Sequence, residues 1–315
     1  MQYIRAALGR APLHKSDGQA VVLMAVVLAV LLGAAGLVLD VGSWYRADRA
    51  TQATADASAL AGAQGLIDGT GPATGLAEEY AEKNGGGDIT ISFGQRVVEN
   101  DLITVTVART EPAFFTKLFG IDTVQVNSRA TARAGVPSRA RYVAPITVNE
   151  QHPMLQCQCF NDPTQVTLIN LHNPGSGDAS GAFGLLNLDS QQNGGNIGSE
   201  TLAEWIRDGY QDDLPLGTYE SAPSANFNSG HITSALNERI GTELLFPVYR
   251  EPIVGSGSGA EYDIIGWVGF IPTSFHASGS SGTISGYFTQ VIWQGLADDT
   301  GTVPDFGVRV IQLVE

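Results

Sequence analysis

The chain has 315 residues, 43% of them apolar, which is enough to bury a core and excludes a disordered tail; at the usual ~150 residues per domain it has room for about two. Its net charge of −15 sits wholly in the second half: residues 145–315 hold Arg207, Arg239, Arg250 and Arg309, no Lys, and 19 acidic residues. A surface of that sign repels nucleic acid and anionic lipid, so no nucleic-acid partner is expected.

The first element is a hydrophobic span. Gly18 to Leu39 carries no charge, and from Ala20 onward every residue is apolar or Gly. At about 1.5 Å per helical residue such a run covers ~30 Å, the thickness of a bilayer core. Arg5, Arg10, His14 and Lys15 precede it, opposed by Asp17 alone. The positive-inside rule therefore puts residues 1–18 in the cytoplasm, residues 19–39 across the membrane and everything after Asp40 outside. The rival is a cleaved signal peptide, with Gly33-Ala34-Ala35 as its small-residue site. A signal core is usually about 7–15 residues, shorter than this run, so an uncleaved anchor is expected.

The helical pattern does not stop at the membrane. Asp40 to Leu66 has no Pro and is rich in Ala, and Trp44 and Tyr45 fall where the chain leaves the bilayer. Ala50, Ala53, Ala57, Leu60 and Ala61 form a helical stripe, with Asp48, Gln52 and Asp56 off it. A face of small residues suits close packing. Gly69–Thr74 reads as a turn, Gly75–Lys83 as a short helix, and Asn84-Gly-Gly-Gly87 as its end. Asp88–Phe93 and Leu102–Val107 alternate at period two, as an antiparallel pair does. Ala113–Phe119 reads as a compact apolar turn of helix, and Val124–Ala134 as a further strand. The sheet so formed has to bury one face on the first helix, which makes residues 40–135 a small α+β stub.

The residues of this region resemble the TadE/TadG-like family, components of the tight-adherence (Flp) pilus assembly system. The resemblance lies in Asp17-Gly-Gln-Ala20, the apolar run, Gly36–Gly42 with its Asp40, and Arg49–Ala61; Phe114–Ile121 and Ser128–Ala134 fit the same family. It covers about residues 15–135. It implies a pilin-like or pilus-assembly protein in the bacterial inner membrane, with other pilus subunits or assembly proteins as partners and no catalysis. Prepilin-type processing cuts at a Gly with a Glu at the fifth mature position. Gly18 stands where that Gly would, but the fifth residue after it is Leu23. Some members carry a von Willebrand-type metal site, Asp-x-Ser-x-Ser. The nearest string here, Asp56–Leu60, lacks the last Ser and falls in the predicted helix, so it is set aside.

Gly135–Ala144 reads as a lead-in to a second domain, residues 136–315. Strand-like runs follow at Ala144–Val148, Gln165–Leu171, Phe183–Leu188, Glu243–Val248, Tyr262–Ile271, Thr283–Trp293 and Phe306–Val314. Two helices are expected, near Glu200–Asp208 with Ser199 or Thr201 as cap and Glu204 completing a box, and near Ser229–Ile240. The fold class expected is α+β: a long N-terminal transmembrane, pilin-like helix and a small α+β stub, then a mostly-β sandwich or barrel-like domain with two helices. Gly184–Asp189, Leu202–Gly209, Phe246–Val248 and Tyr262–Phe270 also resemble the C-terminal region of some such proteins, and that resemblance carries no activity.

Chemistry is sparse in this half. It has no HExxH, GxxxxGK[ST] or GxSxG string. Gly255–Gly259 links two strand candidates and reads as a hairpin loop, not a phosphate cradle. Asp298, Asp299 and Asp305 around Gly301 match no calcium-loop spacing and read as a solvated loop, as do Asp212 and Asp213. His231 has no nucleophile near it in sequence, and Trp205, Trp267 and Trp293 read as core. Cys157 and Cys159 leave three readings open: a local disulfide, free thiols, or a metal site, for which His152 and His172 are near but make no zinc spacing. No cofactor, metal or small-molecule substrate is expected. The function expected is structural, in pilus assembly. An envelope adhesin or binding module is the alternative, and a cell-envelope hydrolase a distant third.

Overall fold

The computed structural model describes residues 17–170, 182–191, 197–222, 227–255, 260–278 and 281–314. The basic residues before the hydrophobic span, His172 and residues 256–259 of the Gly255–Gly259 run lie outside them.

One helix, α1, runs without a break over Asp17–Gly65. From Gln19 to Leu39 its side chains are exposed except at Gly36. It is the one helix among the described residues long and apolar enough to cross a membrane, and it fits a single-pass membrane protein. Beyond Asp40 the same helix becomes the spine of a packed unit. The buried face is not the stripe expected from Ala50, Ala53, Ala57, Leu60 and Ala61: of these only Ala61 is buried. Thr51, Ala55, Ser58, Ala59 and Ala63 are buried instead. With Ala on every side, apolarity does not fix the face. The hydroxyls that would count against burial are satisfied within the helix, Thr51 onto the Ala47 carbonyl at 2.8 Å and Ser58 onto that of Thr54 at 2.7 Å.

Helix α2, Thr70–Lys83, returns along α1 with Ala73, Ala77 and Ala81 buried. It starts five residues before the expected Gly75. Pro72 sits in the first turn, where its missing N–H costs nothing, and Ala73 packs against Gly65 so closely that any Cβ there would overlap it. Strands β1 (Asp88–Gly94), β2 (Leu102–Pro112) and β3 (Thr123–Gly135) follow. They pair antiparallel, with Ile91 opposite Val105 and Val105 opposite Ala130. Ile103, Val105, Val107, Ala130 and Ala132 bury one sheet face against Ala55, Ala59 and Ala63 of α1. The β2–β3 connection holds a 3-10 turn at Thr116–Phe119, shorter than the helical turn expected from Ala113.

The segment expected as a lead-in is built into the fold: Val136 is buried and Pro137–Ala140 is a strand, β4. Next come β5 (Ile146–Asn149), the single-turn helix α3 (Pro153–Gln156), β6 (Val166–Asn170) and β7 (Ala182–Asn187). Helix α4 (Ser199–Asp208), β8 (Leu214–Pro215), β9 (Gly217–Ser221) and helix α5 (Gly230–Arg239) lead to two long strands, β10 (Leu244–Val254) and β11 (Glu261–Ser278), and then β12 (Ser281–Thr289). The cap of α4 is Gly198, with no side-chain bond, and not Ser199 or Thr201; α5 is capped as expected, Ser229 accepting the Ile232 N–H at 3.2 Å. The ladder runs β10-β5-β7-β6-β12-β11, and β10 pairs with β11 as well, so the six strands close on themselves. The outer domain is therefore barrel-like. Alternation sorts its side chains into two layers: Phe246, Val268, Phe270 and Phe288 belong to one core, which α4 and α5 join through Ile206 and Leu236, while Leu245, Trp267 and Tyr249 belong to the other.

The last strands tie the two parts together. β13 (Val291–Ile292), β14 (Gly295–Ala297) and β15 (Val308–Leu313) end the chain's regular structure. β14 pairs with β4, and β15 pairs with β3, Val310 lying opposite Gly135. The stub's sheet is thus β1-β2-β3-β15-β13, completed by residues that follow the barrel. Val291 and Val308 sit in the same buried cluster as Trp267 and Tyr262 of the barrel's second layer.

Candidate functional site: the membrane exit and the junction

Asp40 is the first charged residue after the hydrophobic span, and it is fully buried. A carboxylate there needs partners, and the β2–β3 connection supplies them. The backbone N–H groups of Phe114, Phe115 and Thr116 donate to it at 3.0, 3.0 and 2.8 Å, and the Thr116 hydroxyl donates at 3.0 Å. Four bonds to one carboxylate satisfy the charge without a cation. The connection is held in shape by the Ala113 N–H on the Asp122 carbonyl at 3.0 Å and by Gly120, whose φ of 83° closes the 3-10 turn. The Phe115 ring lies on Gly36, where an added Cβ would fall 2.2 Å from the ring. A helix residue that must lack a side chain and an Asp one turn later thus form a single seat for residues 113–122.

That seat lies inside the matched segment of a known family. Residues 18–65 match the family model of Flp pilus-assembly proteins described as TadE/G-like. No characterised protein and no solved structure matches the chain. The TadE/G-like segment is thus α1 itself, both its bare apolar part and the part that carries the stub. Gly18, the candidate processing residue, lies at its N-terminal end, in the first turn.

A second constellation joins the sheet packed on α1 to the barrel. Arg133 of β3 is completely buried. Its Nε donates to Asp101 at 2.9 Å, one terminal nitrogen to Asp299 at 2.7 Å and the other to the Asp298 carbonyl at 2.8 Å. Asp101 also accepts the N–H groups of Arg96 at 2.6 Å and Val97 at 3.1 Å. Burial pushes the Asp101 carboxyl up, but these amides and the guanidinium outweigh it and hold it below the usual carboxylate range. The acidic loop read as solvated is therefore used in structure. Asp298 accepts from the Thr300 and Gly301 N–H groups at 3.0 and 2.8 Å, Asp299 meets Arg133, and Asp305 takes a two-point contact from Arg309 at 2.6 and 2.7 Å. Asp298 and Asp305 are pushed up by burial and pulled further down by these donors.

The remaining candidates are dispersed. Cys157 and Cys159, just after α3, are joined by an S–S bond with Cα atoms 5.2 Å apart. His152 caps α3 by accepting the Met154 N–H at 3.2 Å and packs edge-on against Phe288 at 5.0 Å; burial lowers its pKa. His231 is exposed in the first turn of α5. Trp267 is buried, Trp205 stands edge-on to Tyr210, and Trp293 donates to the Arg141 carbonyl at 2.6 Å. A cleft of about 450 Å³ opens beside Trp293, lined also by Tyr142, Asp208, Arg239 and Ile292. Its lining contains no Ser, Cys or His. Sequence reasoning missed this cleft because its residues come from four separate segments.

Proposed function

We propose that the chain is a pilin-like, non-catalytic component of Flp pilus assembly, anchored in the bacterial cytoplasmic membrane by α1 with its acidic outer domain on the far side. The observation that supports this reading best is the continuity of α1. One helix is bare and apolar over its first half and forms the packed spine of the stub over its second, and the family match falls on that same helix. A protein built this way displays its outer domain on a rigid stalk, as a subunit or an assembly platform requires. The basic residues Arg5, Arg10 and Lys15 favour a cytoplasmic N-terminus, and a disulfide between Cys157 and Cys159 suits the oxidising side. Residues 19–39, 40–135 and 136–315 then serve as anchor, stub and displayed domain, with residues 308–313 returning to complete the stub's sheet, and cleavage at Gly18 is no part of the reading because Leu23 stands in place of Glu.

The test is deletion of the gene together with crosslinking from the outer domain in intact cells. Loss of pili and capture of pilus subunits or assembly proteins are the expected results. Normal pili with lost attachment would refute the assembly role and favour an adhesin, a reading to which the cleft beside Trp293 and Tyr142 gives a contact surface.

A further inference from the structure

The 3-10 connection between β2 and β3 carries an unusual concentration of bare apolar surface. Phe114 is 65% exposed, Leu118 and Phe119 are each 81% exposed, and Ile121 is 46% exposed. Large apolar side chains crowded on one short loop mark a contact surface. Flexibility does not account for them, because the loop is fixed at three points: Asp40 binds three of its amides, Gly36 receives Phe115, and Ala113 bonds to Asp122.

The position of the loop along α1 decides what covers it. Gly36 lies one turn on the membrane side of Asp40, about 6 Å along the axis. The Phe115 ring is therefore level with the last apolar turn of the span, where Leu37, Val38 and Leu39 are 52%, 70% and 62% exposed. Whatever shields those three side chains reaches the loop. The loop's charges, Lys117 and Asp122, are exposed and opposite in sign, so the patch does not share the acidity that turns the outer domain away from an anionic lipid surface. Lys117 is long enough to place its stem among the apolar residues and its ammonium at headgroup level.

We infer that residues 114–121 are a second membrane contact: Phe114, Leu118, Phe119 and Ile121 enter the outer interfacial layer of the same bilayer that α1 crosses, as a foot beside the anchor. The contact rests on the reading of α1 as a membrane span. The foot and the anchor hold the stub at two points, so α1 cannot rotate freely about its own axis and the outer domain is presented in one direction.

The full-length chain, reconstituted in phosphatidylcholine vesicles, tests this. Leu118→Cys and Phe119→Cys are labelled one at a time with an environment-sensitive fluorophore, the unsubstituted chain serving as the labelling blank. Val30→Cys on α1 reports the anchor and Glu204→Cys on α4 reports water. Lipids spin-labelled near the headgroup or near the chain end supply the quenching. The expected result is blue-shifted emission at 118 and 119, with most of the intensity lost to the headgroup-proximal quencher and little to the deep one, while position 30 responds most to the deep quencher. Quenching at 118 and 119 no stronger than at 204, with position 30 quenched, overturns the foot and leaves the anchor standing. Blue-shifted emission at 118 and 119 without quenching by either lipid overturns it too, and assigns the patch to a protein. An unquenched position 30 removes the anchor and the foot together.

Discussion

Arg133→Met isolates the junction between stub and barrel. Methionine fills most of the volume of the arginine stem but removes three bonds at once. Their worth is unequal. Asp299 is 56% exposed, so its pair with Arg133 contributes under about 1 kcal/mol after solvent screening. Asp101 is 1% exposed, and without the guanidinium its carboxylate stays buried with only backbone amides for partners. Breaking a buried pair from one side costs about 3–5 kcal/mol, which sets the expectation for Arg133→Met. Asp299→Asn should cost under about 1 kcal/mol, and Asp101→Asn should fall between, because Arg133 then retains Asp299 and the Asp298 carbonyl. The assay is urea unfolding of the full chain in detergent micelles, followed by tryptophan fluorescence, to which Trp267, buried in the cluster shared by barrel and junction, contributes. If Arg133→Met costs no more than Asp299→Asn, with the denaturant slope unchanged, the junction is not held by this pair and the reasoning fails.

Asp40→Ala should release residues 113–122 without unfolding the barrel; hydrogen exchange at the Phe114, Phe115 and Thr116 amides should rise at least tenfold, matching loss of bonds worth about 1.5–3 kcal/mol to a charged acceptor. Gly36→Leu should expel Phe115 from its seat, and proteolysis within 113–122 should accelerate while cleavage in the outer domain stays unchanged. Acid should act in two steps. His152, whose pKa is lowered by burial, binds its proton more readily unfolded, so stability starts to fall below about pH 6.5. Asp101, Asp298 and Asp305 are lowered in the fold, so their contribution is complete above about pH 4 and is lost as pH falls through their depressed values; a stability profile that rises on going below pH 4 would contradict this. Maleimide labelling of the denatured chain should block no thiol until a reductant opens the Cys157–Cys159 bond.

What the sequence makes legible here is what is encoded locally. The uninterrupted apolar and Ala-rich run puts the end of α1 at Leu66, one residue from where it lies, and period-two alternation finds β1, β2 and β3 because burial alternates along β1, most of β2 and the first half of β3. Where packing decides, local pattern fails. Ala occupies all sides of α1 after Asp40, so only contact with β2 and β3 selects the buried face. The start of α2 depends on Gly65 receiving Ala73. Asp40 is visible in sequence as an acid after an apolar run, but its ligands are amides of a segment far along the chain. Arg133 looks like one more outward residue of an alternating strand, and only the return of the 298–299 loop shows that it is enclosed.

The closing strand of the stub's sheet has a consequence for how the protein is made. Ala132, Arg133, Ala134 and Gly135 of β3 gain their neighbour only when residues 310–313 arrive, after the whole barrel has been synthesised. Until then this end of β3 offers an open hydrogen-bonding edge. Loop closure over so long an interval is slow, so the stalk is sealed after the barrel, although it leaves the ribosome before it.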